Sequence, residues 1–367
     1  MWNPRIVSVA ALYAEFATRE ARVASPTYER VSLAVSEDAE LLTLLERVPA
    51  PKRQPNLLFA VVRLLGGPVN DVDAFHDFTV AYWPAVEVEL RSRAMQTNEI
   101  GRCALLPVLA GLPQPLALLE VGAAAGLGLY PDRYSYRYGE HRIGTSGAGR
   151  VPPSGVADHA ENAQVKSTGH GISALLVYQP ATLAREGYLP PVGCSQQVDL
   201  EHDRLHHAVG HDRGPVLDCA LTGIAPPNRL PEVVWRAGLE LNPLDVADPA
   251  DLAWLEALVW PEQHERRERL RAAASIATED PPTLIRGDLV DDLARLAAQA
   301  PDDVTLVVFH TSVLYQVPAA RRTLSQYRPP HARLRSASSC YLPKPLLLAP
   351  QRSTTVAPPP RCYPRVE

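Results

Sequence analysis

An acidic residue just ahead of a glycine-bearing turn is the first place where this chain can do chemistry. Residues 116–129 read LALLEVGAAAGLGL: an apolar run of strand length ends at Glu120, and Gly122 and Gly126 follow among small residues. Glycine lets the backbone approach a ligand closely, and ligands of open α/β folds collect beyond the carboxyl ends of the strands. The spacing is E-x-G-x-x-x-G. The G-x-G-x-x-G of dinucleotide-binding turns is missing, which argues against a nicotinamide-dependent oxidoreductase. The same residues also describe an ordinary tight turn, and both readings stay open.

Three further sets of residues carry polar groups at the ends of apolar runs. In GLELNP (238–243), Glu240 or Asn242 stands at the end of a second strand, where a carboxylate can accept hydrogen bonds from both hydroxyls of a ribose. Such an acid usually follows the glycine turn by about 20 residues. Here the stretch 131–232 intervenes and must be an excursion from the sheet; the competing reading is an acid on an exposed strand face. Asp288 follows a short strand in Arg286-Gly287-Asp288, as an acceptor for a ligand N–H or as the cap of the next helix. In VVFHTS (307–312) an apolar strand ends at His310. That histidine is a candidate general base, with an ordinary pKa near 6.5, or a structural histidine bonded to backbone. No Ser/His/Asp arrangement and no G-x-S-x-G elbow is readable. His202 and His206, in EHDRLHHAVGHD (201–212), are four apart. On a helix that places them on one face, a spacing zinc accepts. The glutamate of H-E-x-x-H is missing, so the segment is read as a solvated loop and no metal site is assigned.

The elements that must position these residues fall into three parts. Residues 1–112 read mostly as helix: Tyr13, Phe16 and Ala17 keep helical spacing, Ser25-Pro26 starts a helix, and Glu40–Arg47 and Asn56–Leu65 carry apolar residues three and four apart. Pro84 kinks or divides the amphipathic stretch Asp71–Arg93. Residues 113–316 read as α/β. A strand and turn lead into an expected helix, and a Tyr-rich strand or hairpin spans 131–145. Strands are expected near 216–223, 233–241, 283–288 and 304–314. Helices cover Asp248–Ile276, interrupted at Pro261, and Leu289–Ala298. Strands alternating with helices predict a parallel sheet. Within this part, 146–214 lacks periodicity and reads as an insertion, with a short helix around Ala174–Glu186.

Composition narrows the class. The chain of 367 residues carries 36 Lys and Arg against 41 Asp and Glu, net -5, so it lacks the basic excess of a nucleic-acid binder. Pro107, Pro113, Pro115 and Glu120 break the most apolar stretch, 104–130, so no spanning helix is expected there. Five widely spaced cysteines without C-x-x-C argue against a disulfide framework or a zinc site and fit a reducing cytoplasm. The N-terminus reads as the start of a helix rather than a signal peptide. The mild net charge is an average. Residues 317–367 hold nine Lys and Arg, one acidic residue and ten of the 36 prolines, leaving 27 basic and 40 acidic residues in 1–316, net -13. Such a tail buries little apolar surface and reads as disordered. It is expected to be a divergent end or the product of a shifted reading frame, which reading the coding DNA in the other frames checks.

Taken in order, several blocks resemble DUF2332, a domain-of-unknown-function family with a class I methyltransferase-like fold. They are SPTYERVSLAVSEDAELL (25–42), PNLLFAVVRLLG (55–66), QTNE with Arg102-Cys103 (96–103), LLEVGAAAGLGLYPDRYSYRYG (118–139), WRAGLELNPLDVADPADLAWLEALVWPEQ (235–263), PPTLIRGDLVDDL (281–293) and VTLVVFHTSVL (304–314). The resemblance implies a Rossmann-like, mostly parallel sheet with an N-terminal helical region. It also implies a site for S-adenosylmethionine. Glu120, Gly122 and Gly126 form its turn, Glu240 or Asn242 takes the ribose, and Asp288 takes the adenine amino group. Asn98, Glu99, Arg102 and Trp260 become candidates for the wall that meets the acceptor substrate; Thr97 or Asn98 as a helix cap and Trp260 as core are the competing readings. The implied function is methyl transfer, with His310 as optional base, a small-molecule cofactor as partner, and no nucleic acid or membrane. The alternative is a non-catalytic or degenerate member of the same family. Two departures stand out: 146–214 is longer than the blocks around it, and past Gln316 the resemblance stops before the sheet is complete.

Overall fold

Short polar side chains ahead of apolar-periodic segments start most of the helices. The structure, a computed structural model, describes residues 8–96, 99–144, 164–166, 174–178, 214–218, 220–222, 226–310 and 313. Helix α1 (Val9–Phe16) is capped by Ser8, whose Oγ accepts from the Ala11 N–H at 3.2 Å. It widens into a π-helical turn, Ala17–Ala21, before α2 (Arg22–Ala24). Ser25 caps α3 (Pro26–Glu37), with proline in the first turn, where its missing N–H costs nothing. Asp38 caps α4 (Ala39–Glu46). Then follow α5 (Pro55–Leu64), α6 (Val72–Ala81), capped by Asp71, and α7 (Trp83–Ser92). Pro84 divides the expected 71–93 helix: α6 ends before it, and it sits in the first turn of α7. A 3₁₀ segment, Ile100–Gly111, leads to the sheet.

Strand β1 (Leu116–Val121) is buried along its whole length. The helix expected after its turn does not form. Only a 3₁₀ turn, Leu127–Leu129, follows, because Gly126 is left-handed at φ +71° and breaks the helical path. Gly128 then passes so close to β1 that a Cβ there would lie 2.6 Å from Glu120 Oε2. The chain instead forms the expected Tyr-rich hairpin, β2 (Ser135–Tyr138) and β3 (His141–Ile143). The phenols of Tyr130, Tyr134 and Tyr136 donate to the carbonyls of Asp280, Leu127 and Pro131, which satisfies them. Short strands β4 (Gln164–Lys166), β5 (Ala174–Tyr178), β6 (Val216–Asp218) and β7 (Ala220–Thr222) precede β8 (Val233–Glu240). The remainder is α8 (Pro249–Ala257), α9 (His264–Glu279), β9 (Thr283–Arg286), α10 (Leu289–Ala297) and β10 (Thr305–His310).

The main sheet has the order β5-β10-β1-β8-β9. Strands β10, β1, β8 and β9 are parallel, and β5 joins the outer edge of β10 antiparallel, with Ala174 opposite His310. The mixed α/β architecture is Rossmann-like, with the helical region N-terminal to the sheet. Residues 174–178 were expected to open a helix and form this strand instead. An unpaired sheet edge offers backbone hydrogen bonds that a short apolar ALLVY segment satisfies as well as a helix does. The rest of that helix, most of the insertion 146–214 with its histidines, and the tail 317–367 lie outside the described residues.

Alternation along the strands divides the core. Leu116 and Leu118 of β1, with Val307 and Phe309 of β10, face a large cluster built from α1, α3–α8 and α9. Ala117, Leu119 and Val121, with Ala237, Leu239, Leu306 and Val308, face Leu289, Leu293 and Leu296 of α10. The helical region and the sheet therefore share one core. Polar ties reinforce the joint. Ser25 Oγ and the Thr27 N–H donate to Glu262 at 2.6 and 2.9 Å, and Arg63 donates to the carbonyls of Ala257 and Val259. Burial pushes the Glu262 carboxyl up, but the hydrogen bonds from Ser25 and Thr27 outweigh it and hold it below the ordinary range.

Candidate functional site

Parallel register brings the candidate residues to one edge of the sheet. Glu120 lies opposite Gly238, Val121 opposite both Leu239 and His310, and Glu240 opposite Arg286. The carboxyl ends of four adjacent strands therefore carry His310, Glu120 with its turn, Glu240, and Arg286 followed by Asp288.

The turn after β1 owes its shape to its glycines. Gly122, at φ +71°, donates its N–H to the Leu239 carbonyl at 2.8 Å, and a Cβ on it would come within 2.9 Å of Val313. A Cβ on Gly126 would lie 2.8 Å from Pro282. Both glycines are thus demanded by neighbouring protein atoms, so the tight-turn reading accounts for them. Glu120 is 6 % exposed, on the face that meets the large core.

Glu240 ties the turn to the second strand. Its Oε2 accepts from the Ala124 N–H at 2.8 Å, and its Oε1 accepts from the N–H groups of Leu241 and Asn242 at 3.0 and 3.3 Å. Three backbone donors around one carboxylate form an anion cradle, and Ala124 itself is at φ 51°, rare for a residue with a Cβ. The free lone pairs of such a carboxylate remain able to accept hydroxyls. Leu241, 64 % exposed, leaves an apolar surface directly beside it.

Asn242 is held from two sides. The Gln96 Nε2 donates to its carbonyl at 2.5 Å and its Nδ2 donates to Gln96 Oε1 at 3.4 Å, while its Oδ1 accepts from Arg286 at 2.8 Å. Asp288 caps α10: its Oδ1 accepts from the Val290 N–H at 2.7 Å, and its own N–H donates to Asp292 at 2.8 Å. The Gly287 N–H donates to the Glu240 carbonyl at 3.0 Å, which locks the two strand ends together.

His310 points to the other face of the sheet. It pairs with Val121, which packs toward α10, whereas Glu120 and Glu240 share the opposite face. It is 4 % exposed, and neither ring nitrogen has a hydrogen-bond partner among the described residues. Burial pushes its pKa down to about 4, so the ring is neutral at neutral pH.

The proposed wall residues are dispersed. Glu99 caps the 3₁₀ segment by accepting from the Gly101 N–H and pairs with Arg266 of α9 at 2.6 Å. Trp260 packs edge-on against Phe16 and tilted against Tyr28, in the aromatic group under the helical region. Asn98 lies outside the described residues, as does the side chain of Arg102. Two residues that the spacing left unassigned are at the edge, Gln96 and Arg286. Each neighbours a motif that was read for its acid or amide. A bond between residues 146 positions apart, as in Gln96–Asn242, has no local signature. Among the described residues no group of three or more His, Cys, Asp or Glu is placed to hold a metal, and no helix is long and apolar enough to cross a membrane.

A family model described as an uncharacterized protein conserved in bacteria, DUF2332, matches residues 10–174 and 172–327. The two matches run through 146–214 without a gap, and the second continues past Gln316, where the resemblance of the blocks ends. Neither the curated proteins nor the solved structures contain a match. With most of its length matched in this way, the chain belongs to the DUF2332 family.

Proposed function

We propose that this protein is a cytoplasmic S-adenosylmethionine-dependent methyltransferase. The observation that carries the reading is the convergence of the turn 122–126, Glu240 and Asp288 on adjacent parallel strand ends, with Glu240 reaching the turn's Ala124 N–H. In this reading Glu240 accepts the ribose hydroxyls, Leu241 lies against the cofactor's apolar surface, and Asp288 meets the adenine amino group. Methyl transfer is an in-line displacement, so holding donor and acceptor in line does most of the catalytic work. A base at His310 requires the acceptor to reach the α10 face of the sheet. Isothermal titration of the full chain with S-adenosylmethionine tests the reading: saturable binding is expected, and a folded sample that binds nothing into the millimolar range ends it.

A second reading, a non-catalytic member of the family, rests on a specific observation. Backbone amides already engage both Glu240 oxygens, Asp288 caps a helix, and His310 is buried on the opposite face. Glu240 and Asp288 thus each have a structural role that needs no ligand. Cofactor binding without methyl transfer to any acceptor supports this second reading.

A further inference from the structure

Among the described residues, Arg286 is the cation that the parallel register sets beside Glu240. It ends β9 directly opposite Glu240, so the two side chains leave the same face of the sheet. Arg286 is exposed and has no ion-pair partner among the described residues. A single N–H edge of its guanidinium is fixed, by the 2.8 Å bond to Asn242 Oδ1. Asn242 is in turn fixed by Gln96, which is 8 % exposed. The chain Gln96–Asn242–Arg286 thus anchors a flat, exposed cationic group by one edge.

The surroundings decide what such a group can receive. An anionic ligand at this point meets Glu240 on the neighbouring strand end and Asp288, two residues past Arg286. Like charges so close disfavour it. A neutral planar ring has no such penalty, and guanidinium planes stack on nucleobases. The turn 122–126 closes the β1 side of Glu240, with the Ala124 N–H against the carboxylate. A base attached to a ribose held at Glu240 therefore lies toward β9, over Arg286.

We propose that Arg286 is a binding residue whose anchored guanidinium stacks on the purine of an adenine-bearing cofactor. This inference rests on reading the edge as a site for S-adenosylmethionine. The test is isothermal titration of S-adenosylhomocysteine and of adenosine into the full-length wild type and the variants Arg286→Ala, Arg286→Lys and Arg286→Trp. Far-UV circular dichroism melts check that each variant folds. Loss of a base stack weakens binding about tenfold or more. Alanine and lysine are expected to lose that factor for both ligands equally, because only the base is touched, while tryptophan restores a planar face and binds within about threefold of wild type. Lysine binding like wild type overturns the proposal in favour of a charge contact. Wild-type affinity in both the alanine and the lysine variant overturns it while leaving the cofactor site standing. A wild type that binds neither ligand overturns both. Should the tryptophan variant fail to fold, the alanine and lysine results decide.

Discussion

At the scale of single residues, the carboxyl edge holds side chains in two different electrostatic settings. Glu240 accepts hydrogen bonds from three backbone N–H groups. Neither ring nitrogen of His310 has a hydrogen-bond partner among the described residues, and burial lowers its pKa to about 4. That difference has a measurable consequence. The unfolded chain takes up a proton on this histidine below pH 6.5, whereas the folded chain resists until about pH 4. Its contribution to stability is therefore full above pH 6.5 and falls as the pH drops toward 4. Urea unfolding at pH 7 and pH 5 is expected to show wild type losing about 2 kcal/mol more than His310→Leu. Equal losses in the two proteins refute the buried, neutral assignment. The glycines are a residue-scale matter as well, and here the residue types were legible while their reason was not. Gly122 and Gly126 stand out in sequence as a ligand-facing turn, yet the atoms that exclude a Cβ belong to Val313 and Pro282.

At the scale of elements, caps were readable because a cap acts within three residues of itself. Ser25 and Asp288 each accept from an N–H two or three positions on, as their sequence contexts predict, and Asp38 does the same for α4. The two elements read incorrectly were both decided at a distance. The turn after β1 is followed by no helix because Gly126 is left-handed and Gly128 then passes against Glu120, and residues 174–178 are a strand because the edge of β10 is open to them. Helix α10 offers a test that separates capping from ligand binding at Asp288. Asp288→Ala is expected to cost about 1 kcal/mol of stability, while Asp288→Asn, an equally good cap, stays within a few tenths of wild type. The asparagine variant presents an N–H₂ beside the capping oxygen, so its effect on cofactor binding, read by titration, reports on the adenine contact alone.

At the scale of the whole molecule, the N-terminal helices and the sheet are one structure. The large core runs from Val9 through Trp254 to Phe309, and Glu262 and Arg63 tie the connection between α8 and α9 to the helical region. A shared core predicts a single cooperative transition. Unfolding in urea, followed by far-UV circular dichroism for the helices and by fluorescence of Trp83, Trp235, Trp254 and Trp260, is expected to give coincident curves. Two separated midpoints contradict the shared core.

By itself the sequence determined the class of this protein and the ends of most of its elements. Apolar runs of strand length, helical spacing and caps are short-range properties, and each is complete within a few residues of chain. The acidic and glycine residues at the strand ends could be named for the same reason. Only the tertiary structure decided what those residues face. Register places Glu120, Glu240 and Arg286 on one face and His310 on the other. It also lets Gln96 reach Asn242 and the Ala124 N–H reach Glu240. Such partners come from segments more than a hundred residues apart, and only packing brings them within hydrogen-bond distance, so no local pattern can encode them.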